Sequence, residues 1–169
     1  TGSPDAGFYI GQCYPCDTIV NNVVSEYNGL GYSGTNSGGS LYITSSIFRN
    51  NKGGLAPNTL DSELLPPERE TFIIGNLIEN NNNYNSPATN STYLSYGNGV
   101  VIAGGNNNII KNNVIVDHDL YGVILTASMD VNYWPAHGNR VEENLILSSR
   151  KADIAVSGVS NLANCFEGN

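Results

Sequence analysis

The chain has few basic residues, few sulfur-containing residues and no long apolar run. Its 169 residues include 7 Lys and Arg against 15 Asp and Glu, with 2 His, 3 Cys, 1 Met and 1 Trp. A net charge of −8 without a basic cluster argues against a nucleic-acid partner. No apolar run approaches the ~18 residues of a membrane span, so none is expected. One Met, two His and three Cys are poor material for a copper site, and no metal or cofactor is predicted.

Turn-forming residues are abundant instead, with 26 Asn and 19 Gly. One pattern recurs five times: asparagine or a substitute, any residue, Ile or Val, two residues, asparagine, any residue, and a bulky apolar residue. Its two apolar columns, expected to fill the core, are Ile19, Ile43, Ile73, Ile110 and Val141, then Val24, Phe48, Ile78, Ile115 and Ile146. Its polar column, expected to form a structural ladder of side chains stacked every ~4.8 Å, is Asn22, Ser46, Asn76, Asn113 and Asn144.

A glycine-led apolar strand precedes each copy, so each repeat contains three short strands separated by polar turns. Stacked in parallel, such repeats form a solenoid with a continuous apolar interior. The outward positions of the glycine-led strands carry no charge and form a candidate contact stripe for a subunit or domain: Tyr9, Gly31, Ala56, Val101, Ile124 and Ala155. We expect residues 1–169 to form one all-β solenoid domain of about six rungs, part of a longer solenoid or capped by partner chains.

Three segments carry a family resemblance beyond the repeats: SPDAGFYIGQCYPCD near the start, GYSGTN at 31–36, and NCFEGN at the end. With the repeats, they resemble the right-handed parallel β-helix repeat superfamily over nearly the whole chain. Members of that superfamily include polysaccharide lyases, epimerases, surface proteins, and a periplasmic copper-delivery protein of nitrous oxide reductase maturation. The segments look like those of secreted bacterial β-helix proteins of uncertain role. The resemblance implies a single-stranded right-handed parallel β-helix that is secreted, periplasmic or at the cell surface.

Three insertions interrupt the repeat spacing. Residues 58–70 and 128–138 leave from the same corner two rungs apart, roughly 10 Å along the stack, whereas residues 82–98 leave from another corner. The same-corner loops carry the candidate ligand-binding residues, because carboxylates beside an aromatic ring suit a sugar: Asp61, Arg69, Tyr133 and Trp134. The alternative is that the two aromatic rings pin their own loop against the sheet.

Four of the candidate catalytic groups lie on these loops. Glu63, Glu68 and Glu70 could supply the two facing carboxylates of a glycosidase, which lie roughly 5 to 9.5 Å apart. His137 belongs to the second loop. The outward positions of the strand that follows the loops offer no acidic cluster for Ca²⁺, and this argues against a lyase or an epimerase.

His118 is a fifth candidate, because Asp117 and Asp119 flank it and a carboxylate can make an imidazole a better base. Its position in the repeat favours a structural role at a corner instead. It falls at a corner that other repeats occupy with small or polar residues, which are Tyr27, Asn51, Asn81 and Ser149.

The spacing of Cys13 and Cys16 predicts a local disulfide at the first corner, and Cys165 is then left without a partner.

The leading functional hypothesis is a non-catalytic extracytoplasmic module that presents a binding or assembly surface to a polysaccharide or to another protein subunit. The alternative is a carbohydrate-active enzyme, either a polysaccharide lyase, an epimerase or a hydrolase, that acts through the same-corner loops.

Overall fold

The structure is a computed structural model that describes residues 1–90, 95–159 and 163–169. It is nearly all β and contains three parallel sheets. The first sheet has six strands, which are β1 (Thr18–Asn21), β4 (Gly38–Thr44), β7 (Arg69–Ile74), β10 (Ile109–Lys111), β15 (Arg140–Glu142) and β18 (Cys165–Glu167). The second sheet has five, which are β2 (Val24–Glu26), β5 (Ile47–Arg49), β8 (Leu77–Glu79), β11 (Val114–Val116) and β16 (Leu145–Leu147).

The third sheet also has five parallel strands, which are β3 (Leu30–Thr35), β6 (Gly53–Asn58), β9 (Val100–Ala103), β12 (Tyr121–Thr126) and β17 (Ala152–Ser157). A separate antiparallel hairpin pairs β13 (Ser128–Met129) with β14 (Tyr133–Trp134). Apart from this hairpin, the chain visits the three sheets in turn, and this order is consistent with a parallel β-solenoid. Within the described ranges, no helix is both long enough and apolar enough to cross a membrane.

The interior is filled by apolar side chains that stack in register from rung to rung. Ile43 pairs with Ile73, Ile73 with Ile110, and Ile110 with Val141, and all four are fully buried. The second column behaves in the same way, because Phe48, Ile78, Ile115 and Ile146 occupy equivalent positions of the second sheet. Burial of these side chains provides the main free energy that holds the stack together.

The first rung is shifted by one residue from the predicted register. Val20, which is 3% exposed, pairs with Ile43, whereas Ile19 is 70% exposed. Likewise Ser25 pairs with Phe48, and Val24 points outward. The predictions for Ile19 and Val24 were therefore wrong.

Left-handed backbone marks the corner to which the first rung is shifted. Asn22 has φ of 58°, like Ser45, Gly75 and Asn112 at the same corner of the following rungs. Asparagine tolerates this conformation, so Asn21 and Asn22 both suit the corner, and the structure uses Asn22. Asn22 is therefore the corner residue itself, and the next residue, Val23, takes the place that was predicted for Asn22.

The residues that follow this corner exchange hydrogen bonds along the stack. The backbone amide of Ser46 donates to Oδ1 of Asn76 (3.0 Å), that of Asn76 to Oδ1 of Asn113 (2.9 Å), and that of Asn113 to Oδ1 of Asn144 (3.0 Å). In the first rung, the amide of Val23 donates to Oγ of Ser46 (3.1 Å). The side-chain oxygens thus satisfy buried backbone N–H groups that would otherwise destabilise the fold.

The outward residues of the third sheet differ from those predicted for the uncharged stripe. Ser33, and not Gly31, stands in register between Tyr9 and Ala56, because a Cβ on Gly31 would meet Asn51 and Phe48 of the interior. An apolar outward column lies on the second sheet, where its members pair from strand to strand: Val24, Ile47, Leu77, Val114 and Leu145.

Candidate functional site

The two same-corner loops meet in the structure. The 58–70 loop connects β6 to β7, and the 128–138 loop connects β12 to β15, so both cross from the third sheet to the first. The backbone amide of Ser62 donates to Oδ2 of Asp130 (3.2 Å), and the hydroxyl of Ser128 donates to the carbonyl of Thr59 (2.7 Å). The loops therefore support each other.

Asp61 is the main anchor between these loops. Its Oδ2 accepts from the backbone amide of Asn132 (2.6 Å), and its Oδ1 accepts from Nδ2 of Asn132 (2.7 Å) and from Nε1 of Trp134 (3.1 Å). These bonds, led by the one from the Asn132 backbone, lower the pKa of Asp61. The hydroxyl of Tyr133 accepts from the backbone amide of Val159 (3.0 Å). Asp61 and Trp134 thus come into contact, whereas Tyr133 bonds to Val159, and both contacts fix the hairpin.

Replacing Asp61 by alanine is expected to release the β13–β14 hairpin from the 58–70 loop, because three hydrogen bonds lose their acceptor. Trp134 is the only tryptophan in the chain, so its fluorescence reports on this hairpin alone. We expect a red shift of the emission and greater quenching by acrylamide. In the control Asp153→Ala, which removes a carboxylate that accepts from the Ser149 amide, the spectrum stays as in the parent. An unchanged spectrum in Asp61→Ala contradicts the anchoring role.

Arg69 and Glu70 pack on the first corner of the chain. The guanidinium of Arg69 lies 3.6 Å from the centre of the Tyr14 ring, and the Tyr14 hydroxyl donates to Oε2 of Glu70 (2.9 Å). The predicted disulfide between Cys13 and Cys16 is confirmed and closes the turn that carries Tyr14. Arg69 and Glu70 are therefore engaged in a stacking and hydrogen-bonding cluster that fixes the end of the 58–70 loop.

Glu68 points into the protein and is 0% exposed. Its Oε1 accepts from the Thr71 hydroxyl (2.8 Å) and its Oε2 from Nδ2 of Asn108 (2.8 Å), while a Cβ on Gly105 would lie 1.9 Å from Oε2. Burial raises the pKa of Glu68 to about 8, because desolvation outweighs the two hydrogen bonds that favour the carboxylate. Glu68 is thus an interior acid that is hydrogen-bonded to Asn108. It does not face Glu63 or Glu70 across a solvent cleft.

His118 is 1% exposed and occupies a corner, as its register predicted. Asn28 donates from its backbone amide to Oδ1 of Asn51 (2.9 Å), Asn51 does the same to Asn81 (3.2 Å), and Nδ2 of Asn81 lies 3.5 Å from Nε2 of His118. The first member of this corner column is Asn28, so the assignment of Tyr27 was wrong. Tyr27 is the left-handed residue before it, with φ of 60°.

Burial lowers the pKa of His118 to about 4, with a smaller opposing effect of the Asp119 charge. The second histidine, His137, lies far along the chain on the 128–138 loop. Its Nδ1 is 2.5 Å from the side-chain amide of Asn106, and its carbonyl accepts from the backbone amide of Asn107 (3.0 Å). Neither imidazole has a carboxylate as its hydrogen-bond partner among the described contacts.

A groove of about 420 Å³ lies on the outer face of the third sheet. Its apolar floor is formed by Leu30, Ala56, Val101 and Ala103. Hydroxyl and amide groups surround this floor, and they belong to Tyr9, Ser33, Thr35, Asn58, Ser95 and Thr126. Leu60 and Glu63 reach it from the 58–70 loop, Ser95 from the 82–98 insertion, and Asp5 from the first rung.

The groove was only partly visible in the sequence. Glu63 was a candidate, and Tyr9, Ala56 and Val101 belonged to the predicted uncharged stripe. The polar residues Thr35, Asn58 and Thr126 were missed, although they stand two positions after the outward residues Ser33, Ala56 and Ile124 on strands that pair in register. The signal that could have found them is the period of two, extended to the end of each glycine-led strand.

One group of side chains offers metal-ligand geometry among the described residues. A carboxylate oxygen of Glu142, one of Glu167 and Sγ of Cys165 lie within 4.8 Å of one another on the outer face of the first sheet. The sequence-based expectation of no acidic cluster omitted the rung that begins at Cys165. The carboxylate of Glu142 is already paired, because Arg140 donates to it and the Lys111 ammonium lies 3.9 Å away.

Comparisons of the chain with protein-family models, with curated proteins and with solved structures found no match.

Proposed function

We propose that this protein is a right-handed parallel β-helix module that acts outside the cytoplasm and binds a carbohydrate chain without transforming it. The observation that carries the proposal is the groove of about 420 Å³ on the third sheet. Its volume lies in the range of pockets that hold small organic ligands.

The groove combines the two surfaces that a sugar needs. The donors of Thr35, Asn58 and Thr126 are bonded to Asn58 Oδ1 and to the carbonyls of Ala56 and Ala127, respectively. Their side-chain oxygens keep acceptor capacity, which matches the hydroxyl donors of a sugar. The aliphatic floor at Ala56 and Val101 offers a surface for its C–H face. Because the lining residues come from four neighbouring strands ~4.8 Å apart, the groove extends for roughly 14 Å along the stack. A chain of several sugar units suits this shape.

Two general observations support the other parts of the proposal. Crossover connections between parallel strands are right-handed in about 98% of cases, which favours a right-handed helix here. The Cys13–Cys16 disulfide suits an oxidising compartment outside the cytoplasm.

A carbohydrate-active enzyme is the second candidate, and one observation favours it. Asp5 and Glu63 line the same groove, so two carboxylates are available to a bound glycosidic bond. Incubation with the hexasaccharides named below, followed by chromatography, separates the two candidates. Intact ligand supports the binding module, whereas shortened or unsaturated products support the enzyme.

The binding test uses Val101, which faces the groove, and Val114, which belongs to the outward column of the second sheet. Isothermal titration with cellohexaose, mannohexaose and maltohexaose is expected to give a micromolar to millimolar Kd for at least one of them. Val101→Tyr fills the floor and is expected to weaken that binding at least tenfold. Val114→Tyr adds the same ring on another sheet and should bind as the parent does. Absence of binding by all three, or equal losses in both variants, contradicts the proposal.

A further inference from the structure

We propose that the groove on the third sheet selects glycans that carry amino groups and rejects glycans that carry carboxylates. This inference rests on the proposed function and names the class of ligand for the same groove. It follows from the charges that line the groove and from the contacts of Arg69, the nearby basic residue, with groups outside the groove.

Of the described lining residues, the carboxylic acids are Asp5, at the first rung, and Glu63, on the 58–70 loop. Among the described residues that line it, none is Lys or Arg. The basic group that follows on the same loop, the Arg69 guanidinium, stacks on Tyr14 and donates to the carbonyls of Leu65 and Pro67. A ligand carboxylate would therefore lose its hydration without meeting a cation, and this is unfavourable.

Glu63 is held in place by Tyr9. The Tyr9 hydroxyl donates to Oε2 of Glu63 (2.8 Å), and both residues line the groove. Partial burial, and then the hydrogen bond and charge of Glu63, raise the pKa of Tyr9, so the phenol keeps its proton and remains a donor. The carboxylate thus has a fixed position from which it can accept from a ligand ammonium group.

The charge of the whole chain acts in the same direction. At −8, the protein attracts cationic ligands and repels anionic ones before contact. Contacts between partly exposed charges are individually weak, so two carboxylates are expected to separate cationic from anionic ligands by about tenfold in Kd at low salt. This ratio should fall as salt screens the charges.

Three β-1,4-linked hexamers share one backbone and differ in charge: cellohexaose is neutral, the glucosamine hexamer carries ammonium groups, and the glucuronate hexamer carries carboxylates. Titration at pH 6 and 20 mM salt is expected to give the tightest Kd for the glucosamine hexamer and the weakest for the glucuronate hexamer. At 500 mM salt, we expect the three values to converge.

Variants locate the effect in the groove. Glu63→Gln and Asp5→Asn are each expected to lower the preference for the glucosamine over the glucuronate hexamer by about threefold, whereas Glu79→Gln, on the second sheet, leaves it unchanged. If cellohexaose binds and the glucuronate hexamer binds equally well, the charge selection is wrong and the proposed function stands. If no hexamer of any charge or backbone binds, the proposed function itself is wrong. An equal effect of Glu79→Gln would assign the preference to net charge alone and overturn the role of the groove.

Discussion

Replacing Glu68 by glutamine is expected to stabilise the protein at pH 8 by on the order of 4 kcal/mol, since a pKa raised from 4.5 to about 8 corresponds to roughly 1.4 kcal/mol per unit. The folded state holds the Glu68 proton up to about pH 8, whereas the unfolded state releases it above pH 4.5. Folding therefore takes up a proton between these values. Stability that is fully present below pH 4.5 is lost as the pH rises to about 8.

Glutamine keeps the size of the side chain, and its amide can serve both Thr71 and Asn108 without a charge. Urea denaturation of the parent and of Glu68→Gln between pH 4 and 8.5 measures the difference. The gap between them should open above pH 4.5 and level off above about pH 8. Glu63→Gln, which changes a partly exposed groove acid, provides the control and should show no such opening. Parallel curves for the parent and Glu68→Gln would contradict the burial of an interior acid.

Replacing His118 by asparagine is expected to remove an acid-sensitive component of stability of about 3 kcal/mol, since burial lowers the pKa from 6.5 to about 4. The unfolded state takes up a proton below pH 6.5, and the folded state does so only near pH 4. The stability contributed by the neutral ring is therefore present above pH 6.5 and is lost as the pH falls through that window. Asparagine is also the residue that precedes His118 in this column, at Asn51 and Asn81.

The two predictions combine into one measurable profile. Between pH 4.5 and 6.5, the proton uptake at Glu68 and the proton release at His118 oppose each other, so the parent's stability changes little from these two groups. Glu68→Gln should then gain stability towards pH 6.5, and His118→Asn should lose stability steadily from pH 4.5 to 8. His137→Asn replaces the other, partly exposed histidine and should follow the parent. A His118→Asn curve that follows the parent over this range would contradict the assignment.

The sequence was sufficient for the repeat and insufficient for the position of its first rung. Four rungs share the order of corner residue, polar residue and apolar residues, and their periods of two predict which side chains are buried. In the first rung, Asn21, Asn22, Val23 and Val24 fit that order in the predicted register, whereas the observed register places Val23 at the polar position and Ser25 at the buried one. The left-handed backbone at Asn22 decides between them, and only the structure reveals it.

The candidate site was harder to predict because loop residues have no periodicity. The sequence placed Asp61 and Trp134 on neighbouring loops, and the structure brings them into contact. The sequence could not show that Glu68 turns inward, since its burial depends on the space left beside Gly105. The groove depends on insertions at two different corners, Glu63 from one and Ser95 from the other, and that pairing arises only after the rungs are stacked.

Apart from one register shift between Gly38 and Leu41, beside the start of β7, the insertions leave and re-enter the rungs in register. The strands on either side of residues 58–70 and 128–138 pair directly with those of the neighbouring rungs. In a stacked repeat, stability depends mainly on contacts between adjacent rungs. Selection can therefore change the length and composition of these loops at little cost to folding. Such a molecule can evolve a new ligand preference while its scaffold stays constant.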